Sequence, residues 1–411
     1  MDRKITRSIN LFPWYAGLTG DLLFYIAINT LFLTVVKEFS AAQIVALTSF
    51  SQLACIVLQF PVLFLIRRMG NTGSVRVGAL CLLLSSIFIT FGRGFYLVLL
   101  GRLFHDVAII FRSASFVALE NNLDLVDRRR DFVKIRTAAN TVYSVITMLI
   151  SFVAGFMFNM NNYLPMYCCI GTCTVGFVLT LFMKDHSDYD KIIGKKEKKK
   201  KVKLNYSGLI LTAIALYAIF YPVVNTGQGD GKLFIQQNVL EEFSLDNTSL
   251  ILSGIVCISR IIRVISNILF ARIYEKHQKK MGVAMPVALC ASMGFLLFGS
   301  FIPQILLKIA VMSAGYIIIL FVRDPFKLYI QDVLFEKTSK EHHQTLLTML
   351  EFGVKLTTAG IGLISSAVLL RYPLVVIIAA LFVLSLIDIV LGVCLHRMLY
   401  SARPDREATE G

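Results

Sequence analysis

The chain has 411 residues, of which 56% are hydrophobic and 16% charged, with a mean hydropathy of +0.71 and a net charge of +15. Soluble domains carry about 25% charged residues, so composition excludes a water-soluble enzyme. The basic residues sit in short segments between apolar runs, which argues against a nucleic-acid groove and for membrane topology.

A bilayer-spanning helix needs about 20 mostly apolar residues. In chain order such runs cover 11–36, 41–66, 77–92, 96–119, 137–158, 163–183, 206–226, 248–271, 283–301, 305–328, 346–369 and 373–395. The start of the chain is basic (Arg3, Lys4, Arg7), but the run that follows is long, contains Asp21 and offers no small-residue cleavage site. It is therefore expected to be a first span rather than a cleaved signal. Connections are short except 184–205 and 227–247. The eight cysteines lie in or beside apolar runs without metal or redox spacing. They are expected to be apolar fillers, with no metal and no cofactor.

Charge tests this division. With the N-terminus in the cytoplasm and alternation thereafter, cytoplasmic segments hold 29 Lys and Arg, and outer segments hold five: Lys37, Arg93, Lys232, Lys308 and Arg371. That asymmetry is what the positive-inside rule demands, and it predicts an even helix count with both termini cytoplasmic. The stretch Lys195–Lys203 is strongly basic and divides six spans from six. It reads as a solvated linker near anionic headgroups. The expected organisation is a bundle at 1–183, a linker at 184–205, a second bundle at 206–395 and a tail at 396–411.

The halves repeat. Glu38-Phe39-Ser40 precedes the second span and Glu242-Phe243-Ser244 the eighth, and at the same offset Ser49 matches Ser253 and Arg68 matches Arg272. Ser40 and Ser244 stand where a helix N-cap is wanted, and repetition at one topological point indicates a duplicated half.

Ionisable groups inside spans cost roughly 2.5–3.5 kcal/mol each on insertion scales, so they must be paired or face a wet interior. Seven basics (Arg102, Arg112, Arg260, Arg263, Arg323, Lys327, Lys355) and five acids (Asp21, Asp106, Asp324, Glu351, Asp388) fall there. Helical spacing groups them. Asp21, Tyr25 and Asn29 form one stripe; Arg102, His105, Asp106 and Arg112 share a sector; Arg260, Arg263 and Asn267 share another. Arg323 and Lys327 flank Asp324, Glu351 and Lys355 are an i, i+4 pair, and Tyr217, Tyr221 and Asn225 mark the seventh span. His105 suits either packing or proton relay, and Asp388 reads as structural. The surplus of bases leans toward an anionic solute, with Asp21 and Asp106 as the acids able to carry a proton. No phosphate-cradling GxxxxGK[ST], HExxH or GxSxG occurs, and His342-His343 has no evident partner, so neither a primary pump nor an enzyme is expected.

Six plus six helices, repeated halves and a basic central loop resemble the major facilitator superfamily, over nearly the whole chain and with a likeness to bacterial members. The family's loop between helices two and three carries Gly-x-x-x-Asp-Arg-x-Gly-Arg-Lys. Here Arg68 and Gly70 match, while Arg67 replaces the Asp and Leu63 the first Gly. Arg102 is kept in the fourth helix, but the Gln-Gly that often follows is His105-Asp106. The antiporter Gly-Pro signature is absent from 147–158. The resemblance implies an all-α integral membrane protein with twelve transmembrane helices in two pseudo-symmetric bundles. It would be a monomeric secondary transporter of the cell membrane, moving a small solute by alternating access, with protons or another ion as partner. Helices one, four, seven and ten line the central cavity in that family. That points to Asp21, Tyr25, Asn29, Arg102, His105, Asp106, Arg112, Tyr217 and Tyr221, with Arg260 and Arg263, for translocation. Arg68, Gly70, Arg323, Asp324, Lys327, Glu351 and Lys355 would form a cytoplasmic gate. A drug exporter, a lipid flippase and a transporter-like sensor remain as alternatives.

Overall fold

The computed structural model describes residues 2–187, 208–338 and 340–400. The basic stretch Lys195–Lys203 and the tail beyond residue 400 lie outside the described residues. Within them the chain is all-helical: α1 Asp2–Leu18, α2 Leu23–Leu31, α3 Ala41–Phe91, α4 Phe95–Leu125, α5 Phe132–Met160, α6 Leu164–Phe182, α7 Gly208–Leu240, α8 Leu245–Gly299, α9 Ile305–Glu336, α10 Lys340–Leu369 and α11 Leu374–Tyr400. Ten stretches among the described residues are long and apolar enough to cross a membrane.

Local chemistry sets the boundaries. α3 starts on a reciprocal capping box: the Gln43 amide donates to Ser40 Oγ (3.3 Å) and the Ser40 amide donates to Gln43 Oε1 (2.9 Å). α8 begins directly after Ser244, the repeated partner of Ser40. The 51 residues of α3 would be about 75 Å long if straight, more than twice a ~30 Å hydrocarbon layer. Gly70 breaks them, with φ 75° and ψ 174°, a backbone state open only to a residue without Cβ.

Three expected boundaries change. The connection at 67–76 shrinks to Gly70, because helix continues on both sides of it and long basic side chains such as the exposed Arg67 and Arg68 can reach polar surroundings from a helix end. The first span, expected as one run at 11–36, is interrupted between Leu18 and Leu23. The expected outer connection 227–247 is mostly helix: α7 runs to Leu240, leaving four residues before α8. Gln228, Asp230, Lys232 and Gln236 look like a loop by hydropathy, yet Lys232 is 4% and Gln236 1% exposed.

The chain forms two compact units, one of Met1–Lys198 with Leu245–Cys257 and the other of Lys199–Ser244 with Ile258–Gly411. In the first, α3 and α4 approach closely at Gly78, where a Cβ would meet Phe111 Cβ at 2.8 Å. Small residues allow this contact between helices that gain little from the hydrophobic effect inside lipid. In the second, Gly392 of α11 lies so close to α8 that a Cβ would meet the Gly282 carbonyl at 2.6 Å. Outward faces are apolar: Val57, Phe60 and Phe64 of α3 and Phe152 and Phe156 of α5 are exposed. In water they would make a large sticky patch, whereas against lipid tails they are at home.

Candidate functional site

In the first unit the break in the first span is the organising feature. α1 ends at Leu18 and α2 begins at Leu23, so the helix is interrupted over Thr19–Leu22. The freed groups are satisfied locally. Thr19 donates from N (2.9 Å) and Oγ1 (2.7 Å) to the Tyr15 carbonyl, and the Leu22 amide donates to Asp21 Oδ1 (2.8 Å). Arg112 of α4 donates through Nη1 to the Gly20 carbonyl (2.5 Å), with Thr19 O at 3.4 Å. Unwound backbone at membrane depth is tolerable only with such partners. Gly20 is required sterically, since a Cβ would meet the Tyr143 ring at 2.4 Å.

The break aims Asp21 at α4. His105 Nε2 lies 2.7 Å from Asp21 Oδ1, and its Nδ1 lies 3.4 Å from Asp106 Oδ1. The Ser51 hydroxyl of α3 donates to Asp106 Oδ2. His105 and Asp106 are 4% and 8% exposed, and the Asp21 side chain is 31% exposed. The result is a polar chain of three titratable groups, Asp21, His105 and Asp106, ending on the Ser51 hydroxyl, with the Asp21 end partly accessible. Arg102 lies within coulombic reach of Asp106, Asp21 and Tyr25, and so balances the two carboxylates. Tyr25 is buried on α2 beside them, and Asn29 sits one turn further, half-buried. Sequence spacing alone did not reveal Ser51, because no periodicity links it to the α4 sector.

In the second unit the polar groups gather on α7, α8 and α9. Arg263 grips Asp324 with two bonds, Nε to Oδ2 (2.6 Å) and Nη2 to Oδ1 (3.2 Å). Arg323 Nη1 donates to Gln228 Oε1 (2.8 Å), and the Tyr221 hydroxyl donates to the Arg323 carbonyl (2.8 Å). Tyr217 stacks on Tyr221 with centroids 4.7 Å apart. Arg260 is 9% exposed and lies within coulombic reach of Lys232, Tyr316 and Arg323. Gln228, Lys232 and Tyr316 escaped the sequence expectation. The signal was present: 217, 221, 225, 228 and 232 continue one helical stripe.

The residues expected at the gate have these surroundings. Arg323 and Asp324 are drawn to Gln228 and Arg263, while Lys327 meets Glu351 only at 4.0 Å, with side chains 40% and 62% exposed. An ion pair that open contributes at most about 1 kcal/mol. Lys355 is half-buried on α10, and Arg68 is exposed beside the Gly70 break. Near that break an acid nonetheless stands, supplied from another element. Asp185, just past α6 and 2% exposed, accepts from Asn71 Nδ2 and Asn121 Nδ2 (both 2.8 Å) and from the Ser187 amide (2.9 Å) and hydroxyl (2.6 Å). Its own amide donates to Thr72 Oγ1 (3.0 Å). Asn122 adds bonds to the Lys184 carbonyl (2.8 Å) and the His186 amide (3.0 Å).

Among the described residues no group of His, Cys, Asp and Glu could hold a metal ion. What the first unit offers chemically is an imidazole between two carboxylates, at 2.7 Å from Asp21 and 3.4 Å from Asp106. What the second can do is hold charge.

The family model for the Major Facilitator Superfamily matches residues 14–334. No curated protein matches the chain by sequence. Solved structures that resemble it include the nucleoside transporter NupG (14% identity, 97% of this chain and 98% of that one, TM-score 0.67). A bacterial homologue of the iron transporter ferroportin in an inward-facing state also matches (12%, 96% and 98%, TM-score 0.68). So does a bacterial homologue of the human lysosomal transporter Spinster (11%, 97% and 98%, TM-score 0.66). At such identities the likeness concerns the fold.

Proposed function

The chain belongs to the major facilitator superfamily, and from that premise we propose that it is a proton-coupled secondary transporter of a small organic anion in the cell membrane. It is a transporter rather than an enzyme, as its family and structural neighbours indicate. It crosses the bilayer twelve times with both termini cytoplasmic and works as a monomer. Support for twelve crossings comes from α3, which Gly70 divides into two membrane-length arms, and from α8, whose 55 residues hold two separate apolar stretches. α4 supplies the remaining crossing: its 31 residues could span about 46 Å. The cytoplasmic termini rest on the charge asymmetry.

The observation that carries the coupling is the chain Asp21–His105–Asp106–Ser51 beside a broken helix. Buried titratable groups are costly inside a bilayer and mark ion paths, and discontinuous helices are where transporters bind substrates and ions. A proton entering at Asp21 passes to His105 Nε2, and release from Nδ1 toward Asp106 completes the step. Tyr25, Asn29 and Arg102 shape this path, and Tyr217, Tyr221, Arg260 and Arg263 face the solute.

A thermal-shift screen of the purified protein against metabolites identifies the solute, and uptake into proteoliposomes under an imposed pH gradient tests the coupling. Asp21→Asn with Asp106→Asn should abolish uphill uptake while leaving downhill exchange. Unchanged accumulation in that double variant would reject proton coupling.

A further inference from the structure

Proline has no amide hydrogen, so inside a helix the carbonyl four residues earlier loses its ladder donor. In a bilayer no water replaces that donor, and a neighbouring helix must supply one. The second unit has two such gaps beside its polar groups. Pro222 lies within α7 and deprives the Ala218 carbonyl, and Pro325 lies within α9 and deprives the Phe321 carbonyl. Each of these carbonyls accepts from a hydroxyl on another helix. Thr357 Oγ1 of α10 donates to Ala218 O (2.8 Å), and Ser266 Oγ of α8, 1% exposed, donates to Phe321 O (2.6 Å). At Pro286 of α8 the corresponding Gly282 carbonyl instead lies against Gly392 of α11, which has no side-chain donor.

The two gaps are tied to each other. Tyr221 directly precedes Pro222, and its hydroxyl donates to the Arg323 carbonyl, two residues before Pro325 (2.8 Å). Arg263 of α8, one turn from Ser266, holds Asp324, the residue directly before Pro325 (Nε to Oδ2, 2.6 Å). The stretch Phe321–Pro325 is therefore held by Ser266 at its start, by Tyr221 at 323 and by Arg263 at 324. A proline gap bends a helix at a defined point, and hinge motions are absorbed at a few such positions. Thr357 suits a moving joint. Its single hydroxyl hydrogen has a second acceptor, Gly353 O of its own helix, at the same 2.8 Å. When α7 bends away from α10, that hydroxyl keeps a partner.

We propose that Thr357 and Ser266 are positioning residues that replace the missing amide donors at Pro222 and Pro325, and that the Tyr221–Arg323 bond makes α7 and α9 bend together, carrying Tyr217, Tyr221 and Arg323 with them. The bending rests on the transporter reading, whereas the donor assignment is tested without transport. Purified full-length protein in detergent is followed by unfolding temperature and by amide hydrogen exchange of α7 and α9. Thr357→Val and Ser266→Ala should each lower the unfolding temperature, and Thr357→Ser should retain it. Pro222→Ala restores an amide at position 222, and in that background Thr357→Val should cost little. Pro325→Ala should likewise suppress the loss from Ser266→Ala. Ser385→Ala removes a buried hydroxyl bonded within its own helix, and its cost should be the same in every background. Thr357→Val should also speed exchange about fivefold or more on both α7 and α9. With Tyr221→Phe added, the increase on α9 should disappear. Size-exclusion profiles identify misfolded variants. If Thr357→Val alone misfolds, rescue by Pro222→Ala supports the assignment and lack of rescue opposes it. Equal losses with and without the prolines overturn the donor assignment, and faster exchange confined to α7 in Thr357→Val overturns the coupling. Suppression and coupled exchange in a protein that moves no solute would count against the transporter reading while leaving the paired joints standing.

Discussion

His105 is held between two carboxylates, at 2.7 Å from Asp21 and 3.4 Å from Asp106. An imidazole with a carboxylate on each nitrogen can take a proton on one side and give it up on the other, which no other single side chain does near neutral pH. Replacing it with Gln keeps hydrogen-bonding atoms of similar reach but removes the titration. His105→Gln should therefore lower pH-driven uptake at least tenfold while solute binding to the detergent-solubilised protein stays within about threefold. A proportional loss of both would make His105 a packing residue. The same spacing that placed His105 and Asp106 on one sector of α4 made this pair readable in the sequence. Ser51 was not readable, since its link to Asp106 depends on how α3 docks against α4.

At the scale of the element, the break at Thr19–Leu22 shows why a hydropathy run is a poor guide to backbone course. Thr19, Gly20 and Asp21 are a short polar patch between long apolar flanks, too short to divide a hydropathy run, so 11–36 reads as one span. What ends the helix is tertiary: Arg112 reaches across to cap the Gly20 carbonyl, and the Tyr143 ring occupies the space a Cβ would need. Gly20→Ala should force Tyr143 aside and destabilise the protein by about 1–3 kcal/mol, the usual range for overpacking. A lower unfolding temperature and reduced uptake are the expected results, and a fully active, equally stable variant would show that the break tolerates a side chain. α7 makes the opposite point. Its polar stripe from Tyr217 through Gln228 to Lys232 has helical period throughout, but hydropathy outweighed period at 227–240. The knot at Asp185 is a third case. It ties the end of α6 to the Gly70 break and to the end of α4 through Asn71, Thr72 and Asn121. No sequence pattern announces it, because its members are distant in the chain and individually common in loops. Asp185→Ala strands three amide donors and a hydroxyl, at about 1–3 kcal/mol for an unsatisfied buried group. A drop in unfolding temperature that Asp185→Asn partly spares is expected, and indifference to both changes would make the knot incidental.

For the whole molecule the two units carry different chemistry. The first holds Asp21, His105 and Asp106, with Arg102 in reach of both acids; the second holds Arg260, Arg263 and Arg323, with Asp324 on the Arg263 fork. Composition, run length and charge asymmetry were enough to give the membrane class, the family likeness and the helices as a set, because bilayer thickness and backbone satisfaction leave few options. Which charges meet was not readable, because Arg263 and Asp324, or Arg323 and Gln228, are joined by packing between helices far apart in sequence. The proposed cytoplasmic placement of both termini is open to a direct check. Single cysteines placed at the exposed positions 4 and 398 in a cysteine-free background should react with an impermeant maleimide only from the cytoplasmic side. Labelling of either from outside would refute the cytoplasmic termini. The most direct measurement of the central claim is solute-dependent proton flux in proteoliposomes, read with an internal pH dye as metabolites are added. An anionic solute should move protons in the natural protein and none in the Asp21→Asn, Asp106→Asn double variant. Solute uptake with no accompanying proton movement in the natural protein would contradict the account.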